Sequence, residues 1–105
     1  MIAKTPKPPY YAVIFTSIRT EGDKDYESMS NKMLELAKEQ EGFLGIESAR
    51  DEIGITVSYW DSIDAITNWK MNVDHTEARE TGRSLWYKKF KVRISKVERD
   101  YGFKK

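Results

Sequence analysis

Residues 10–19 narrow the fold more than any other segment. Tyr11, Val13 and Phe15 alternate there with Ala12, Ile14 and Ile18, so a strand through them is apolar on both faces. Such a strand needs cover on both sides of its sheet. In a chain of 105 residues, helices can supply one cover, and the other must come from elsewhere. Charged residues make up 33% of the chain and apolar ones 39%, respectively above and below what a typical globular domain carries. Three Trp, six Tyr and four Phe nevertheless exclude a disordered chain, which lacks the large side chains whose burial offsets ordering entropy. The core is expected to be built from few but large residues.

The remaining segments follow by periodicity. Residues 1–9 hold all three prolines (Pro6, Pro8, Pro9) and read as a flexible N-terminal arm, leaving 10–105 as a single domain. Tyr26, Met29, Met33, Leu36 and Ala37 recur at helical spacing within 25–40, with Glu27, Asn31, Glu35, Lys38 and Glu39 opposite. Gly42 ends that helix, as a residue able to take positive φ. Phe43–Arg50 and Ile55–Trp60 form a hairpin across a turn at Asp51, Glu52 and Gly54. Ser62 is placed to cap a second helix carrying Ile63, Ile66, Trp69 and Val73. Asp74, followed three residues on by Glu77, reads as a fresh capping box that breaks this helix in two. Residues 87–101 form the last strand, with Phe90, Val92 and Ile94 in one row. The row slips at Val97, which predicts a bulge near Ser95–Lys96. The order β-α-β-β-α-β predicts an α+β, ferredoxin-like fold with a four-stranded antiparallel sheet. Two such sheets packed face to face in a homodimer would cover the second face of the first strand.

Composition excludes several function classes. A net charge of +1 supplies no field to hold a polyanion. Glu41-Gly42-Phe43-Leu44-Gly45-Ile46 lacks the basic start and aromatic spacing of an RNA-binding strand, so no nucleic-acid partner is expected. The absence of Cys and the presence of one His remove thiol catalysis and clustered metal ligands. No apolar run approaches the ~20 residues of a membrane span. Without an apolar leader at the N-terminus, the expected location is the cytoplasm.

Two residues stand out chemically. His75 is the only residue of the type that titrates near neutrality without perturbation, and it shares a stripe with Ala78 and Gly82. It reads either as a helix-start histidine bonded to backbone or carboxylate, or as a general base or iron ligand. Trp69 reads either as core or as a wall that stacks on a flat substrate, and Trp60 and Trp86 carry the same two readings. Gly82, which implies a close approach by a ligand or backbone, is flanked by Arg79 and Arg83.

Gly42-Phe43-Leu44-Gly45-Ile46-Glu47-Ser48, Val57 through Trp69, and Asp74-His75, Gly82-Arg83 and Trp86-Tyr87 together resemble the antibiotic biosynthesis monooxygenase (ABM) family of dimeric α/β barrels. Within it, the chain looks like a small, mostly uncharacterised bacterial branch. The resemblance implies a homodimer with a pocket between sheet and helices in each subunit. It implies a cofactor-independent monooxygenase that oxidises a small aromatic or quinol-like compound with O₂. His75 is then the base, Trp69, Trp86 and Phe15 are aromatic walls, and Tyr59 or Arg83 stabilises the oxyanion. The implied alternatives are a non-catalytic dimeric module that binds a small molecule, and a haem-binding or haem-degrading protein. For the last, only Trp69 matches cleanly: His75 falls early, and Tyr10–Arg19 contains no Asn.

Overall fold

The computed structural model describes residues 1–21, 26–80 and 86–105, with 75–80 described by their backbone only. The elements run β1 (Tyr10–Arg19), α1 (Tyr26–Glu39), β2 (Phe43–Arg50), β3 (Gly54–Trp60), α2 (Ile63–Glu80) and β4 (Tyr87–Val97). All four strands join one antiparallel sheet in the order β2-β3-β1-β4. This is the ferredoxin-like arrangement expected from the sequence. The doubly apolar β1 lies in the interior of the sheet, paired with β3 on one side and β4 on the other.

Register assigns each side chain to a face. Tyr11 pairs with Trp60, Val13 with Ser58 and Phe15 with Thr56. Because strand side chains alternate, Tyr11, Val13, Phe15 and Ser17 share the face of Ser58 and Trp60. The helices cover this face. Val13, Ala37, Trp60, Ala65 and Ile66 form its buried cluster, with Tyr11, Phe43 and Trp69 packed against it. In α1 the polar residues Glu27, Asn31, Glu35, Lys38 and Glu39 are exposed and Ala37 is buried, as the spacing predicts. In α2 the buried side is Ala65, Ile66 and Val73, while Ile63 is exposed.

Two boundary readings need correction. The second helix does not break at Asp74: α2 runs through Glu80. The Asp74 carboxylate accepts from Lys70 Nζ at 2.7 Å, an i,i+4 pair on the exposed side, instead of capping a new helix. Ser62 does cap α2, its Oγ accepting from the Ala65 amide at 3.1 Å. In β4, pairing with β1 is regular from Val97 to Lys89 and shifts only between Ile18 and Arg19. The irregularity therefore sits at the start of the strand, not near Ser95–Lys96. Val97 looks out of phase because it ends the strand opposite Tyr10, on the face away from the helices.

That second face is partly covered by the chain itself. The Ala3 amide donates to Glu47 Oε2 at 2.8 Å, and a Cβ on Gly45 would stand 2.9 Å from Ala3 Cβ. Thr5 Oγ1 donates to the Tyr10 hydroxyl at 3.0 Å, and that hydroxyl donates to Asp100 at 2.5 Å. Residues 1–9 thus cross one end of the face and leave Tyr10 and Ala12 buried. The other end, at Ile18 and Ile55, stays exposed.

Candidate functional site

The helix-covered face carries two aromatic groups. In the first, Trp60 is fully buried, its ring 5.4 Å from Phe43 and 5.3 Å from Trp69. The Trp60 indole donates to Ser58 Oγ at 2.9 Å. The Trp69 indole Nε1 is buried and has no hydrogen-bond partner among the described residues. A buried donor left unmatched costs about 1–3 kcal/mol.

The second group lies further along β1. Phe15 stacks on Phe90 at 5.4 Å and meets Tyr87 edge-on at 5.3 Å. Tyr87 meets Tyr26 of α1 at 5.7 Å, and their hydroxyls are 3.2 Å apart. The guanidinium of Arg19 lies 3.7 Å from the centre of the Tyr26 ring, and that of Arg50 lies 5.7 Å from it. Arg50 also donates to Ser17 Oγ at 2.5 Å. Tyr26, Tyr87, Phe90, Arg19 and Arg50 were not expected as site residues from the sequence. Strand pairing brings Tyr87, Phe90 and Arg50 beside β1, and α1 brings Tyr26 over them, contacts between distant segments that no local spacing encodes.

The expected site residues divide accordingly. Phe15 and Trp69 share the helix-covered face, one in each group. Trp86 is buried, and its carbonyl accepts from the Thr20 amide at 2.8 Å. His75 belongs to α2, but its side chain lies outside the described residues, as do Gly82 and Arg83. Tyr59 is not brought to this site. Ser58 and Trp60 face the helices, so the residue between them faces away. The open grooves along Thr5–Pro8 and Glu98–Asp100, and along Lys96–Arg99, include none of these residues.

Tyr59 instead joins a polar cluster on the opposite face. Its hydroxyl donates to Glu47 Oε1 at 2.6 Å, and its ring lies 5.9 Å from Tyr10. Burial, then the bond to Glu47, pushes the Tyr59 hydroxyl up to about 12. The bonds from Tyr59 and from the Ala3 amide hold Glu47 below the ordinary carboxylate value. The Tyr10 hydroxyl is raised, chiefly by its bond to Asp100. The raised Tyr59 stabilises the fold below its unfolded value of 10.0, and that contribution is lost as pH climbs toward 12. The depressed Glu47 acts oppositely: its contribution is present above the ordinary value of 4.5 and is lost as pH falls through the lower folded value. Since this partly exposed pair is screened by water, its loss is expected to cost about 1 kcal/mol. Urea unfolding from pH 9 to 11.5 checks this. A Tyr59→Phe variant should show a shallower alkaline decline, and parallel curves would refute the assignment.

Comparison with known proteins follows the geometry. Residues 9–81 match the family model described as antibiotic biosynthesis monooxygenase. The uncharacterized protein YqjZ of Bacillus subtilis (strain 168) is 53% identical over 100 residues, which span 93% of this chain and 88% of that one. SnoaB, a cofactor-independent oxygenase from Streptomyces nogalater, superposes with a TM-score of 0.68 at 10% identity, over 93% of this chain and 100% of that chain. PA3566 from Pseudomonas aeruginosa superposes with a TM-score of 0.62 at 16% identity, over 91% of this chain and 99% of that chain. At those identities the two structures establish a shared fold. Among the described residues, no helix is long and apolar enough to cross a membrane, and no three His, Cys, Asp or Glu side chains gather to hold a metal ion.

Proposed function

The chain belongs to the antibiotic biosynthesis monooxygenase family, and on that premise we propose that it is a cofactor-independent monooxygenase acting in the cytoplasm as a homodimer. Its substrate is a small aromatic or quinol-like compound, held between the sheet and the helices. The observation that carries this reading is the buried, unmatched Nε1 of Trp69. It is a donor for which the described protein groups supply no acceptor, in an aromatic setting suited to a flat ring.

The chemistry needs an electron-rich substrate. An activated methylene between aromatic rings loses a proton to a base, and the resulting anion donates an electron to O₂. Recombination and loss of water leave a carbonyl. One oxygen atom ends in the product and the other in water, and all four electrons come from the substrate. The protein contributes a base, orientation and exclusion of bulk water. His75 is assigned as the base. Trp69 is assigned to hold the substrate oxygen, Phe15 and Trp86 the ring, and Arg83 the developing oxyanion. Tyr59 is left out of this set because it lies on the other face.

Anthrone oxidation followed by oxygen uptake tests the proposal. The wild-type protein should exceed buffer clearly, and His75→Ala should be slower by about tenfold or more. Trp69→Phe, which keeps a ring but removes the donor, should weaken substrate binding by about five- to tenfold. Rates equal to buffer across anthrones and quinols would overturn catalysis. Retained binding of the same compounds would then favour the non-catalytic module, and a protein-dependent Soret band on adding haemin would favour the haem reading.

A further inference from the structure

The far end of the helix-covered face carries a guanidinium that is set in place with most of its donors unused. Across the sheet, Arg50 of β2 pairs with Gly54 of β3, and Gly54 pairs with Ser17 of β1. Residues opposed in this way share a face, which here is the face of Phe15, Ser58 and Trp60. Arg50 reaches Ser17 only because the glycine between them has no side chain. A Cβ on Gly54 would run into the Arg50 guanidinium, so that group lies across the glycine. Arg50 Nη2 donates there to Ser17 Oγ at 2.5 Å, and the guanidinium carbon lies 5.7 Å from the centre of the Tyr26 ring. Gly54 and Ser17 are buried, and Arg50 itself is exposed. The seat is thus part of the packed sheet, while the charge it holds faces outward.

A guanidinium is a planar fork of N–H donors. Among the described residues this one meets a single acceptor, Ser17 Oγ, and makes no ion pair. Asp51 and Glu52 follow it in the chain, and neither pairs with it. A fork fixed in one plane with donors to spare fits a carboxylate, which accepts two parallel N–H bonds. Ser17 follows Phe15 on the same face, about 7 Å further along the strand. Phe15, Tyr87 and Phe90 pack on one another, so recognition at this end falls to the exposed cation and not to their ring faces.

We propose that Arg50 anchors a carboxylate on the compound this protein binds, which makes that compound a small aromatic acid. The two carboxylate oxygens take the free edge of the guanidinium, and Ser17 and Gly54 hold the fork in its plane. The proposal rests on the reading that a flat compound occupies the layer between sheet and helices. It adds an acidic group at one fixed end of that compound.

Titration calorimetry in low-salt Tris chloride, with an anthraquinone carboxylate and the matching carboxamide, tests this. The wild-type protein should bind the acid about tenfold more tightly than the amide, and added salt should weaken the acid alone. Arg50→Gln should weaken the acid about tenfold and leave the amide unchanged, with Arg50→Lys restoring part of the loss. Ser17→Ala keeps the charge but frees the fork, and should weaken the acid by about three- to fivefold. Circular dichroism establishes that each variant is folded. The preference for the acid and its salt dependence are read in the wild type, so they decide the matter even where a variant fails to fold. Equal affinities for acid and amide, or an Arg50→Gln protein that keeps the preference, overturn the carboxylate anchor and leave the aromatic pocket standing. No binding of either compound overturns both. Arg50-dependent binding of the acid without oxidation of anthrones upholds the anchor and overturns catalysis.

Discussion

Trp60→Ala is expected to destabilise the protein by about 3–5 kcal/mol, the usual cost of deleting a large buried aromatic. Trp60 is fully buried and touches both Phe43 of β2 and Trp69 of α2. It therefore ties the hairpin to the helix in a chain whose buried cluster is otherwise Val13, Ile66 and two alanines. The substitution also strips the Ser58 hydroxyl, itself buried, of the indole that donates to it. Against a total stability of ~5–15 kcal/mol, this consumes a large share. The thermal midpoint should fall by about 15–30 °C. Trp60→Phe keeps a ring against both neighbours and should cost only about 1–2 kcal/mol. Thermal and urea unfolding followed by circular dichroism measure both, and a Trp60→Ala midpoint within a few degrees of wild type contradicts the role given to this residue.

Trp60 also shows which features local sequence carries. The row Thr56, Ser58, Trp60 and the row Ile55, Val57, Tyr59 are both evident from alternation, and Trp69 is evident from helical spacing. Alternation alone does not say which row meets the helices, because each ends in a large aromatic. Trp60 joins the core since α2 brings Trp69 over it, and Tyr59 turns instead to Glu47, twelve residues away across the hairpin. The same limit produced the misread helix break. Asp74 three residues before Glu77 is a sound cap in isolation, but Lys70 one turn earlier gives its carboxylate another partner. The alternation of β1 showed that both faces need cover. It did not show that the chain's own first residues supply part of that cover, since Ala3 and Thr5 carry no pattern and act through a backbone amide and one hydroxyl. The aromatic group around Phe15 depends entirely on pairings between distant segments. Its members were legible as apolar positions and became neighbours only through the strand order and the placement of α1 across it.

Gly42→Val should be the most damaging change outside the buried cluster. Gly42 has φ of +90°, a conformation that costs an L side chain about 1–2 kcal/mol. It closes the turn from α1 to β2: the Gln40 amide donates to the Ala37 carbonyl at 3.1 Å and the Phe43 amide to the Gln40 carbonyl at 3.3 Å. The Gly42 carbonyl then accepts from the Asp61 amide at 2.9 Å, pinning the start of β2 against the end of β3. A Cβ here would run into the Asp61 carboxylate and the Ala65 methyl. Ala65 belongs to the buried cluster, so it cannot retreat without moving α2. Overpacking of this kind adds about 1–3 kcal/mol to the backbone strain, giving roughly 2–5 kcal/mol for valine and the lower end for alanine. The effect should reach the candidate site, because Phe43 follows immediately and leans on Trp60, which forms the wall behind Trp69. Gly102→Ala is the control, since a Cβ there meets nothing within 4 Å, and it should stay within about 0.5 kcal/mol of wild type. Chemical denaturation of Gly42→Ala, Gly42→Val and Gly102→Ala tests this ordering, and equal midpoints for Gly42→Val and Gly102→Ala would show that the turn bears no such constraint.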